Sequence, residues 1–125
     1  MNGLSKNKIE KISEKYLEEI TNVYGFSKHF DSEPYLVLED SVYSDGTDKN
    51  LKGEFDADFN ELVIYWKNIK NEEELIRTLV HEYQHYLQSP SWMTRYYNMG
   101  YDYSDHPYEI QAYMEEENWI QFNKK

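Results

Sequence analysis

The stretch "VHEYQHYL", residues 80–87, sets His81 and His85 four positions apart, with Glu82 directly after the first. On a helix that spacing brings both imidazoles to one side, one turn apart. Two nitrogens so placed can approach one divalent cation to about 2.0–2.1 Å, the bond length that zinc takes with histidine. Glu82 is rotated by about 100° from His81. It can therefore reach a water beside such an ion rather than the ion itself, which suits a general base.

Two ligands do not make a zinc site; a third is required. In "HPYEIQAY", Glu109 stands 24 residues after His85, in the first turn of a predicted helix, with small Ala112 one turn further on. A carboxylate there can reach histidines on a neighbouring helix, and the small residue lets the backbones approach. The plainer reading is an acid at a helix N-terminus, where the macrodipole favours it. His106 competes as a third ligand, although its place before Pro107 equally suits a cap or a substrate contact. A zinc pattern with a glycine and a third histidine close behind the motif does not fit, because Gln88 and Ser91 occupy those places. His29 is assigned no function.

The motif needs a helix, and its surroundings supply one. Asn71 is a cap, the acids of "EEE" occupy the first turn, and Pro90 ends the helix near Gln88. Leu75, Ile76, Leu79, Tyr83, Tyr86 and Leu87 form one apolar arc. His81 and His85 lie nearly opposite it, beside Arg77, Thr78 and Gln88, facing either solvent or a cleft.

Around that helix the chain predicts an α+β fold. Ser5 caps a first helix to about Tyr24, stopped by Gly25. "YLVLED" after Pro34 reads as a strand. Residues 41–50 form a solvated turn, since their acids lack the glycine and closing glutamate of a calcium loop. Lys52–Asp56 and Glu61–Trp66 form a hairpin about Asp58–Asn60. Residues 89–105 read as a long aromatic loop, and a last helix runs from Pro107 to about Phe122. All 125 residues fit one domain.

Composition bounds the function. A net charge of −11, from 24 acidic against 13 basic residues, opposes phosphate-backbone binding, so no nucleic-acid partner is expected. No stretch is apolar enough to span a membrane or resemble a signal sequence, and there is no cysteine for disulfides or thiolate metal sites. A cytoplasmic protein is expected, in a host cytoplasm if the chain is phage-encoded.

HEYQH followed by a helix carrying E-x-x-A resembles the gluzincin metallopeptidases, and in compactness the minigluzincins and the peptidase cores of the ImmA/IrrE type. The order of backing helix, short sheet ending in a hairpin, active-site helix and glutamate helix extends the resemblance over nearly the whole chain. It implies a zincin-like minimal core with Zn2+ held by His81, His85 and Glu109. Peptide hydrolysis would use metal-activated water with Glu82 as the base. It also implies a peptide or protein substrate paired to the hairpin's first strand at Gly53, Glu54 and Phe55. One departure is Tyr113, where many gluzincins place an aspartate that steadies the first histidine. A backbone carbonyl or the Tyr113 oxygen is expected to serve instead. Donors to the transition state are sought among Arg95, Tyr97, Tyr101, Tyr103 and His106. The alternative is an interaction or regulatory module on the same scaffold, weakly active or inactive, with a structural or blocked zinc site.

Overall fold

The computed structural model describes residues 5–42, 50–100 and 106–122, except for the side chains of Trp92, Met93, Tyr96 and Tyr97. Helix α1 spans Lys6–Tyr24 and starts where Ser5 Oγ accepts the Lys8 N–H. Gly25 ends it at φ 82°, a left-handed conformation that a residue with a Cβ adopts only under strain. Helix α2, Glu72–Leu87, starts at Asn71, whose side chain accepts the Glu74 N–H at 2.9 Å. Glu74 reaches back to the Lys70 N–H, so two otherwise orphaned donors are satisfied together.

Three strands form a mixed sheet in the order β1-β3-β2: β1 is Tyr35–Glu39, β2 Gly53–Asp56 and β3 Glu61–Tyr65. The expected hairpin joins β2 to β3 antiparallel, with Gly53 opposite Ile64 and Asp56 opposite Glu61. Asn60 in its turn takes φ 54°, a conformation that asparagine tolerates better than most residues. β1 lies parallel to β3, a pairing that local sequence does not encode. β3 is thus the central strand, and β2 is an edge.

Leu75, Ile76, Leu79, Tyr83 and Tyr86 of α2 are wholly buried in one core with Ile9, Tyr16 and Ile20 of α1, Leu62 and Ile64 of β3, and Phe122. Burying each such aliphatic side chain contributes roughly 1.5–3 kcal/mol. The buried phenols also need partners. Tyr83 donates to the Gly25 carbonyl and Tyr86 to that of Ser32, which fastens the segment between α1 and β1 onto α2.

Two expectations require correction. Residues 89–105 are not one long loop, because Pro90–Asn98 form helix α3. Pro90 halts α2, but its fixed φ and missing N–H also suit the first turn of a new helix. The last helix changes winding: α4 spans Pro107–Glu116, and a 3-10 segment continues from Glu117 to Phe122. The acidic turn of the sequence reading falls largely on residues 43–49, outside the described residues. Among the described residues no helix is long and apolar enough to cross a membrane.

Candidate metal centre

The face of α2 opposite its apolar arc is covered rather than open. Helix α4 packs along it, and Ala112 at the contact is fully buried. His81 and His85 are therefore buried residues at 7% exposure each, facing neither bulk solvent nor the apolar core. His106 caps α4, its Nδ1 accepting the Tyr108 N–H at 3.1 Å, and Pro107 follows at the start of the helix. That entry places Glu109 in the first turn, aimed at α2 and 5% exposed.

Glu109 Oε1 lies 2.8 Å from His81 Nε2 and 3.3 Å from His85 Nε2. Ligand atoms around a tetrahedral zinc are separated by about 3.3 Å, from bonds of about 2.0–2.1 Å. The three donor atoms therefore sit close to the spacing that one small cation imposes. His81, His85 and Glu109 form a buried group able to bind a metal ion. His85 Nε2 supports the fit, being buried without a hydrogen-bond partner among the described residues despite its nearness to the carboxylate. A buried nitrogen in that state is costly unless something takes its lone pair.

The other nitrogen of each ring is held. His81 Nδ1–H donates to Glu116 Oε2 at 2.9 Å, and His85 Nδ1–H donates to Gln88 Oε1 at 2.7 Å. Gln88 is oriented by its own Nε2, which donates to the Tyr108 carbonyl and to Gln111 Oε1. Both outer acceptors hold a proton on Nδ1 and aim Nε2 at Glu109, so that a metal ion would have only the second proton of His81, on Nε2, to displace. The partner of His81 is thus Glu116, not a backbone carbonyl or the Tyr113 oxygen. Tyr113 instead packs edge-on against the His81 ring, 4.6 Å between centroids. Glu116 lies two helical turns beyond Glu109, so a same-face count along the last helix could have found it. Arg77 braces this end of α4 by pairing with Glu117 at 2.9 Å while its guanidinium lies over Trp119.

Electrostatics follow from this crowding. Burial opposes charge on His81, yet hydrogen bonds to Glu109 and Glu116 prevail and raise its pKa to about 10. Burial likewise opposes charge on His85, and Glu109 again turns the balance upward. Burial pushes the Glu82 carboxyl up; His85 and His81 pull it down, and Glu109 and Glu54 push it up again. A carboxyl raised above its ordinary value is a better proton acceptor near neutral pH.

The remaining sequence-derived residues are dispersed. Gly53 presses on α2: a Cβ there would meet Thr78 Cγ2 at 2.6 Å and Glu82 Cγ at 3.4 Å. Glu54 follows it on β2 and is felt by Glu82, whereas Phe55 turns its ring onto Phe30 and Tyr86. Arg95 is exposed on α3. The side chain of Tyr97, together with Tyr101 and Tyr103, lies outside the described residues. No family model matches the chain, and no curated protein or solved structure matches it either.

Proposed function

We propose that the chain is a zinc-dependent peptidase of the gluzincin kind on a zincin-like minimal core. The observation that carries this reading is the convergence of His81 Nε2, His85 Nε2 and Glu109 Oε1 beside the buried carboxyl of Glu82. Zinc at that point would supply Lewis acidity, polarising a peptide carbonyl and lowering the pKa of water. Zinc is favoured over harder cations because two of the three donors are imidazoles.

The chain's own residues supply the rest. Glu116 and Gln88 hold the two rings so that Nε2 of each points inward. Glu82 takes a proton from water at its carboxylate and returns it to the leaving amine, a role for which its raised pKa suits it. The outer edge of β2, unpaired among the described residues, can hydrogen-bond an extended peptide, and Gly53 brings the strand next to Glu82. Glu82→Gln in the zinc-loaded protein tests the assignment: an unfolded protein substrate should be cut by the wild type, reversibly blocked by a chelator, and left intact by the variant. Equal cleavage by both would remove Glu82 from the chemistry.

One observation favours a second reading. The three ligands and Glu82 are each no more than 7% exposed, as in a structural metal site inside an interaction or regulatory module. Such a module would bind zinc with the same residues yet cut no peptide.

A further inference from the structure

We propose that the recess at the hairpin end of the sheet binds an arginine or lysine side chain and, on the peptidase reading above, is a subsite for a peptide paired to β2. This recess of about 490 Å³ is lined by His29, Phe30, Asp31, Tyr35, Asp58 and Phe59 among others. Tyr35 and Phe59 are 63% and 68% exposed, so two large aromatic rings stand in solvent on its walls. Ring faces attract cations, guanidinium above all. Asp31 and Asp58 are exposed and supply negative charge, and no lysine or arginine lines the recess among the described residues. A neutral apolar ligand would leave those carboxylates unused, and an anion would be repelled. The net charge of −11 steers cations towards the whole molecule.

The recess has a backbone frame tied together by hydrogen bonds. Asn60 Nδ2 donates to the carbonyls of Ser32 and Glu33, at 3.3 and 3.1 Å, tying the hairpin turn to the segment before β1. The Tyr35 N–H donates to the Asn60 carbonyl, and the Asp58 N–H donates to Asp56 Oδ1. Tyr86 anchors the Ser32 carbonyl from α2. The backbone of both walls is therefore fixed before any ligand arrives, which lowers the entropic cost of binding.

Its position gives the recess a meaning. β2 starts at Gly53, against Glu82, and ends at Asp56, directly before the recess residues Ala57–Asn60. The strand covers about 10 Å between those ends at about 3.3 Å per residue. A peptide added antiparallel to this edge has its amino-terminal part at the recess and its later residues beside Glu82. The bound side chain then belongs to a residue about three to five positions before the cleaved bond.

Two measurements test the proposal on the zinc-loaded full chain. The first titrates N-acetyl-arginine amide, with N-acetyl-norleucine amide as the uncharged control, and follows backbone amide shifts. Saturable shifts confined to His29, Tyr35, Asp58 and Phe59 are expected from the arginine probe alone. They should be lost in the exposed double variant Asp31→Asn/Asp58→Asn. Absent shifts, or equal shifts from both probes, would overturn the site. The second measures kcat/KM on a peptide with one arginine moved along it. An increase of about fivefold is expected when arginine lies three to five residues before the cleaved bond, and the double variant should erase it. A flat profile would overturn the subsite. If no peptide is cut, the peptidase reading fails, and the first measurement alone decides whether the recess binds a cation.

Discussion

Glu116 accepts the Nδ1 proton of His81 at 2.9 Å, from two turns beyond the glutamate that faces the same ring on its other side. One helix thereby supplies both carboxylates that flank His81. Removing Glu116 should free the ring without removing a ligand. Glu116→Ala should weaken zinc binding by roughly 10–100-fold, and Glu116→Gln by less, because it keeps an acceptor. Competition with a chromophoric chelator reads this directly. Unchanged affinity in Glu116→Ala would show that the contact orients nothing.

Metal and protons should compete at the same nitrogens. Metal-free His81 has its pKa raised to about 10, so it carries a proton at neutral pH that zinc must displace. Zinc uptake should release protons and tighten as pH rises from about 6 to 8. Calorimetry in two buffers of different ionisation enthalpy counts the protons, and an affinity indifferent to pH would contradict the expectation. In the metal-free fold the same shift stabilises fully below pH 6.5 and fades as pH rises through about 10.

Gly53 is needed for closeness rather than for conformational freedom. Gly53→Ala would press a methyl onto Thr78 Cγ2 at 2.6 Å and the Val63 carbonyl at 3.0 Å. The strain should cost about 1–3 kcal/mol and lift β2 away from Glu82. Adding Thr78→Ser removes the first clash and keeps the hydroxyl that donates to the Glu74 carbonyl. Urea unfolding should therefore show partial recovery in the double variant. Additive losses would mean that the two residues do not meet.

The local parts of this fold were legible because they depend on neighbours in sequence. Ser5 and Asn71 are caps within reach of their own helices, Gly25 stops α1, and the hairpin follows from two short runs around a turn. The cluster of His81, His85 and Glu109 was also legible, since His81 and His85 share a helix face and Glu109 lies in the first turn of the last helix. What escaped depends on packing. The parallel register of β1 on β3 joins residues 26 apart, such as Tyr35 and Glu61. Glu116 shares a helix face with Glu109, yet only the packing of α4 along α2 turns that face, rather than another, onto His81. Pro90 marks the end of α2 in the sequence, but the same ring also suits the first turn of α3.

Tyr16 carries a test of stability far from the metal. Burial and a 2.6 Å hydrogen bond to Glu72 raise its pKa from 10.0 to about 12. A raised group favours the fold while protonated, so its contribution is present below pH 10 and lost as pH rises towards 12. Tyr16→Phe should lower stability at about pH 8 and flatten the alkaline decline, as urea midpoints at several pH values would show. An unaltered decline would place the alkaline sensitivity elsewhere.

The most direct test is the zinc content of the purified wild type beside Glu109→Ala, after both are equilibrated with a slight excess of zinc and freed of unbound metal by gel filtration. The convergence of His81, His85 and Glu109 requires one tightly held ion per wild-type chain and a large loss of affinity in the variant. Zinc retained equally by both proteins, or by neither, would contradict it.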